Sequence, residues 1–410
     1  MAVTVSPLAP ADYPALPMVA GVRLAAVVAG IRYKGRHDLM VAALAEGTTV
    51  AGVLTRSLTA GLPVDWCRER LVHGTARAVV VNSGNANVFT GARGRQVVED
   101  TAAEAARLLG CGKGEVFVSS TGVIGEPPPG DRILAALPAA VAALSPDSWE
   151  AAARAIMTTD TFPKMVTRTV TIGDKTVTLN GMAKGSGMIA PDMATMLGYL
   201  FTDAAIPAPL LQALLTESAE ASFNSITVDG DTSTSDTVLL FATGAAGNLP
   251  PSGIDDPLIQ DFRRALREAS IELAQLIVRD GEGAEKFVTI RVTGAENDAA
   301  ARRIGLAIGN SPLVKTALAA ADANWGRIVM AIGKAGEKAA RDLIRVSIGG
   351  VLIAAEGGRV PDYDETPVAA HMQGQNLLIE VDLGLDQGEA TVWTCDLTHR
   401  YIDINGSYRS

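Results

Sequence analysis

Apolar and polar positions fall into blocks along this chain, and each block predicts an element. Residues 76–81 (ARAVVV) are a short apolar run that predicts a buried strand. They lead into NSGNANVFTG, a string of turn formers that predicts a loop. EVFVS at 115–119 predicts a second strand, ending at Ser120-Thr121-Gly122. DRILAALPAAVAAL predicts a helix that Pro138 should kink or break, because a proline has no N–H for the helical ladder. SPDSWEAAARAIM predicts another helix, with Asp147 and Ser148 as candidate N-caps.

The period then changes. MVTRTVTIGDKTVTL alternates threonine with apolar residues around Gly173-Asp174, which predicts a hairpin. Helical spacing returns in PLLQALLTESAEASF and in 257–278, where Leu258, Phe262, Ala265, Ala269, Leu273 and Leu276 share one face. DANWGRI at 322–328 predicts a helix N-terminus with a half-buried tryptophan. Strands are expected near 286–293 and 342–355, then in NLLIEVDLG and through EATVWTCDLTHRYIDIN. Helix blocks alternating with hairpins predict a mixed α/β (α+β) fold rather than a purely parallel sheet. Residues 124–130 and 246–256 have the composition of linkers.

The chain has 410 residues, which predicts two or three domains, and 48% apolar residues supply ample core. A formal charge of −10 and no basic run argue against nucleic acid as a partner. Cys67, Cys111 and Cys395 are far apart and the four histidines show no paired spacing, so neither a disulfide framework nor a metal site is expected. The N-terminus lacks a basic signal-peptide region, and the run from Leu24 to Ile31 is too short to span a bilayer. A soluble, cytoplasmic protein with no membrane partner is expected.

Three glycine-containing loops are candidates for chemistry. KGSGMIAP at 184–191 lacks the order of a phosphate loop. VDGDTSTSD at 228–236 lacks the glycine and glutamate positions of a calcium loop. RDGEGAEK at 279–286 is an acidic turn whose Glu282 suits an ammonium group if it faces a pocket. Just after the first loop stands Ala194-Thr195. A threonine hydroxyl needs a base before it can act as a nucleophile, and a threonine that begins a chain has one in its own α-amine. Self-cleavage after Ala194 would create that terminus. Thr121-Gly122, at a strand end, offers a hydroxyl and a backbone N–H suited to an oxyanion.

KGSGMIAPDMATML resembles the cleavage and nucleophile motif of the ornithine acetyltransferases, or glutamate N-acetyltransferases, of arginine biosynthesis. NSGNAN, SSTGVIG, MTTDT, TVDGDTSTSDT, SPLVKTA, DANWGRI and the ending INGSYRS resemble the same family in the same order, over nearly the whole chain. The resemblance implies a two-domain αββα-type sandwich with mixed sheets between helices. It implies Thr195 as nucleophile, Thr121 and Gly122 as oxyanion hole, and cleavage between Ala194 and Thr195. It assigns Thr158, Lys184, Thr195, Glu282, Asn405 and Ser410 to the amino-acid substrate, with Lys184 suited to a carboxylate.

The implied reaction moves an acetyl group from N2-acetylornithine to glutamate through an acetyl-threonine. No cofactor is implied; acetyl-CoA would enter as a second donor substrate in a bifunctional member. Fragments 1–194 and 195–410 would stay together, as a heterotetramer of two α and two β chains. Asp192 departs from the uncharged residue expected there and bears on the rate of the cut. The other reading of the same nucleophile is an amidase or aminopeptidase with water as acceptor.

Overall fold

The computed structural model describes residues 4–190 and 196–406. The first part of the chain forms β1 (Val22–Val27), β2 (Leu39–Leu44), β3 (Thr49–Leu54), α1 (Leu62–Leu71), β4 (Ala78–Asn85), α2 (Gly91–Leu109) and β5 (Val116–Val123). Helices α3 (Gly130–Ala142) and α4 (Trp149–Ala155) and the hairpin β6 (Lys164–Ile172) and β7 (Lys175–Lys184) follow. Next come β8 (Leu197–Thr202), α5 (Ala208–Glu220), β9 (Thr237–Ala242) and α6 (Gln260–Arg279). The last part holds β10 (Phe287–Ala295), α7 (Asp298–Gly309), α8 (Pro312–Ala319), α9 (Trp325–Gly333), β11 (Arg345–Ile348), β12 (Val351–Ala355) and β13 (Gly358–Arg359). It ends with α10 (Glu365–Met372), β14 (Asn376–Asp382), β15 (Gly388–Cys395) and α11 (His399–Gly406).

The strands make three mixed sheets, ordered β1-β2-β4-β5, β3-β9-β8-β7-β6 and β13-β12-β11-β14-β10-β15. The first two stack face to face. Leu24, Met40, Val81 and Phe117 from one meet Met182, Tyr199, Phe201 and Phe241 from the other in one core. The rings of Phe201 and Phe241 stack 5.2 Å apart, and Trp149 meets Phe201 edge-on at 5.6 Å. Helices α2 and α3 cover the outer face of the first sheet through Val98, Ala102, Ile133 and Leu137. Helices α5 and α6 cover the outer face of the second through Leu211, Leu215, Phe262 and Leu273. The result is the implied αββα sandwich. Each fully buried large apolar side chain contributes about 1.5–3 kcal/mol by leaving water. The third sheet packs on α7, α8, α9 and α10 around a separate core.

Several expectations need correction. The chain does not enter a loop at residue 82. Strand β4 runs on to Asn85, and β5 continues through Thr121 and Gly122 to Val123. Their polar side chains read as turn formers but are bonded within the fold: Ser120 Oγ donates across the sheet to Asn82 Oδ1 at 2.6 Å, and Ser83 Oγ donates to the Ala155 carbonyl at the end of α4 at 2.8 Å. Pro138 lies inside α3 without ending it. Ser148 takes the N-cap position of α4 but makes no capping bond with its side chain. Residues 399–405 are helical, not strand. The hairpin at Gly173-Asp174 and the α6 stripe stand as expected. Neither candidate linker divides the two units; the chain passes from one to the other through the turn 280–286.

Candidate active site

The β4–β5 pair runs parallel, and its register slips at Asn85, which pairs with both Thr121 and Val123. Such a slip interrupts the ladder and turns local groups out of it. Gly122 sits there at φ +131°, and a Cβ on it would come within 2.3 Å of the Gly84 carbonyl carbon. Only glycine fits, so this stretch of β5 offers backbone rather than side chain beside the Thr121 hydroxyl.

Lys184, the last residue of β7, is buried and donates from Nζ to Thr121 Oγ1 at 3.2 Å. Burial pushes its pKa below the usual lysine value, and Asp160 opposes that shift. Asp160 organises the neighbourhood. Its Oδ1 accepts from Lys164 Nζ and from the Gly185 N–H, both at 2.7 Å, and its Oδ2 accepts from the Thr158 N–H at 2.9 Å. The MTTDT stretch and the start of the 185–190 loop are therefore tied to one carboxylate.

Glu282 faces the site from the turn after α6. A Cβ on Gly187 would lie 2.4 Å from Glu282 Oε2, so the glycine makes room for that carboxylate. Asn405 Nδ2 donates to Glu282 Oε2 at 2.7 Å. Burial raises the pKa of Glu282, while hydrogen bonds from Asn405 and Thr159 hold the shift back. Asn405 reaches this point because α11 docks on Gly283, which has φ +78° and no room for a Cβ against Tyr401 and Arg400. The Thr398 hydroxyl fastens the start of that helix to the Gly283 carbonyl at 2.7 Å.

Thr121, Gly122, Thr158, Lys184, Glu282 and Asn405, which stand far apart in the chain, line one cavity of about 310 Å³. Met196 and Leu197 line it too. Thr195, Ala194, Asp192 and Ser410 lie outside the described residues. A cationic group at one side and a carboxylate with an amide at another suit a small zwitterion, and a threonine hydroxyl beside bare backbone suits an oxyanion.

Sequence reading missed what holds the loop before residue 191. The loop at 228–236 clamps it. Asp229 accepts from the Met188 N–H at 2.6 Å and the Ile189 N–H at 2.8 Å. The Thr227 hydroxyl donates to the Ile189 carbonyl at 3.0 Å and the Thr232 hydroxyl to the Ala190 carbonyl at 2.8 Å. Alternating Asp, Ser and Thr was the available signal, since such residues bond readily to nearby backbone.

The model of the ArgJ family matches residues 23–410. The arginine biosynthesis bifunctional protein ArgJ of Gluconobacter oxydans is 59% identical over 406 residues, covering 99% of this chain and 96% of that protein. The protein of the same name from Brucella suis is 54% identical over 413 residues, covering all of both. A crystal structure of the arginine biosynthesis bifunctional protein from Bacillus halodurans is 40% identical with a TM-score of 0.50, and its alignment covers 52% of this chain and 100% of that one. A match from residue 23 to the last residue, with more than half the positions shared along whole relatives, makes this chain a member of the ArgJ family.

Proposed function

We propose that the chain transfers the acetyl group of N2-acetylornithine to glutamate, giving ornithine and N-acetylglutamate in arginine biosynthesis. Membership of the ArgJ family, whose relatives are named for that biosynthesis, supports this reading over a hydrolase. In the proposed mechanism the chain first cuts itself between Ala194 and Thr195. The freed α-amine of Thr195 takes the proton of its own hydroxyl, and the oxygen attacks the acetyl carbonyl. Thr121 and Gly122 carry the oxyanion, and ornithine leaves with the proton. Glutamate then attacks the acetyl ester and departs acetylated. Lys184 takes the substrate carboxylate, and Glu282, with Asn405, its ammonium; Thr158 and Ser410 complete the pocket.

The observation that carries this reading is the cavity itself: the Thr121–Lys184 pair and the Glu282–Asn405 pair share it with Met196, the residue covalently next to Thr195. The cut also accords with the Bacillus halodurans chain, matched in full by about half of this one. Fragments 1–194 and 195–410 would not part, because β7 and β8 are neighbouring strands on opposite sides of the cut, with Lys184 paired to Leu197. Their assembly into a heterotetramer, a cytoplasmic setting and acetyl-CoA as donor in a second reaction belong to the same proposal. The word bifunctional in the relatives' name supports the last.

Steady-state kinetics with both substrates varied should give the parallel lines of a double displacement, with N-acetylglutamate formed in step with ornithine. Intersecting lines, or acetate released in place of N-acetylglutamate, would refute the transfer. Glu282→Gln keeps the shape of the side chain and removes its charge. A hydrogen bond to a charged group is worth about 1.5–3 kcal/mol, so KM for N2-acetylornithine should rise roughly 10- to 100-fold. An unchanged KM would remove Glu282 from the substrate site.

A further inference from the structure

The loop 233–236 is held from behind and bare in front. The Thr55 N–H donates to the Asp236 carbonyl at 3.0 Å, the Thr55 hydroxyl to the Ser233 carbonyl at 2.8 Å, and the Gly61 N–H to the Thr234 carbonyl at 2.8 Å. Its side chains line the active-site cavity. Among the described residues, Thr234 Oγ1, Ser235 Oγ and Asp236 Oδ2 are buried without a hydrogen-bond partner. Buried polar atoms are nearly always partnered, and an orphaned carboxylate oxygen is the costliest kind to leave so. Asp236 is only 1% exposed.

Its position is fixed relative to Met196. Strands β8 and β9 run parallel with Leu197 opposite Thr237, and the Thr237 N–H donates to the Met196 carbonyl at 2.9 Å. Asp236 therefore stands abreast of Met196, whose backbone N–H acts on its carboxyl. Met196 is the residue that follows Thr195 in the chain, so this carboxyl faces the residue next to the proposed cut.

We propose that Asp236 is the proton donor for self-cleavage, protonating the leaving nitrogen of Thr195 as the Ala194–Thr195 amide gives way to an ester. This rests on the reading that the chain cuts itself there. The Thr195 oxygen forms a bond to the Ala194 carbonyl carbon, and the bond from that carbon to the Thr195 nitrogen breaks. The carboxyl gives its proton to the nitrogen, which leaves as a neutral amine, and the hydroxyl proton restores the carboxyl. Water then splits the ester into the Ala194 carboxylate and the free Thr195 hydroxyl. The environment keeps the donor charged with its proton: burial pushes the Asp236 pKa well above the aspartate range, against the Ser233 hydroxyl, Lys184 and the Met196 N–H. Lys184 on β7 is the charged group acting on it, and the backbone N–H of Met196, just before β8, meets the carboxyl; Thr55, just after β3, bonds only the main-chain carbonyl of Asp236.

The test is timed cell-free synthesis of the full chain across a range of pH, with cleavage followed on denaturing gels and fragment ends checked by mass. General acids contribute about 10²–10⁴-fold, so Asp236→Asn should cut at least about 100-fold more slowly while melting near the temperature of Thr195→Ala. Asp236→Glu should recover part of the rate. Wild-type cleavage should slow as pH rises through the titration of the carboxyl, and the Asn variant should lack that limb. If Thr195→Ala stays whole but Asp236→Asn is cut at the wild-type rate, the assignment of Asp236 fails and the proposed function stands. If Thr195→Ala is itself cut, the self-cleavage reading fails first. Should Asp236→Asn not fold, the wild-type profile decides: a rate flat or rising with pH overturns the proposal.

Discussion

Thr195→Ala should yield one full-length chain that transfers no acetyl group. The substitution removes the hydroxyl that both reactions need. Without it no ester forms at Ala194, no α-amine is freed, and no acetyl-enzyme can follow. Removing a nucleophile from a working catalytic unit costs about 10⁴-fold or more, because its partners have nothing left to activate. Thr195→Ser keeps the hydroxyl and should keep part of both activities. The two readouts separate two failures. A cut but inactive alanine variant would leave Thr195 as nucleophile for transfer and assign the cut to another group. An active one would remove Thr195 from the chemistry. Intact mass and the coupled formation of ornithine and N-acetylglutamate decide between them. The variant should also fold, since Ala190 and Met196, on either side, are held by Thr232 and Thr237.

The sequence is most readable where burial follows a simple period. The β6–β7 hairpin alternates around Gly173, and α6 carries its apolar stripe on Phe262, Ala265, Ala269 and Leu273. It is least readable where polar side chains are buried. Asn82, Ser83, Ser120 and Thr121 have loop composition, yet they lie in two neighbouring strands because other buried groups satisfy them. Helix α11 presents no buried residue and owes its position to a glycine more than a hundred residues earlier, so no local pattern could place Asn405 beside Glu282. The motifs that resemble the acetyltransferases did name Thr121, Gly122, Thr158, Lys184, Glu282 and Asn405, and these share one cavity. The resemblance was silent on support: Asp229 and Asp160 act by bonding backbone N–H groups, a role any carboxylate at the right point can fill and no spacing announces.

Lys164→Met should destabilise the protein by about 3–5 kcal/mol, the usual cost of breaking a buried ion pair from one side. Lys164 is wholly buried and donates to Asp160 at 2.7 Å and Asp280 at 2.6 Å. One ammonium serves two carboxylates, so they fare differently. Lys164 and Lys184, with the Thr158 N–H, hold Asp160 below the ordinary range despite its burial. Burial and the nearby Asp160 push Asp280 up. Methionine fills the lysine stem but leaves both acids facing each other. A drop of roughly 3–6 °C in Tm is expected by differential scanning fluorimetry at neutral pH. The signs set the pH behaviour. Asp160, depressed in the fold, stabilises above the ordinary aspartate pKa and loses that contribution as pH falls through its folded value. Lys164, raised by its two carboxylates against the cost of burial, stabilises below the ordinary lysine pKa and loses it as pH rises through its folded value. The wild type therefore keeps the full contribution at neutral pH. In the variant, mild acid should recover part of the loss by protonating Asp280, and adding Asp280→Asn should recover it without acid. The damage reaches the chemistry through Asp160, whose oxygens hold Thr158 and Gly185 at the two edges of the site. The folded fraction of Lys164→Met should accordingly cut itself more slowly than wild type, and a variant that lost stability but cut at the wild-type rate would show that Asp160 holds the loop without help.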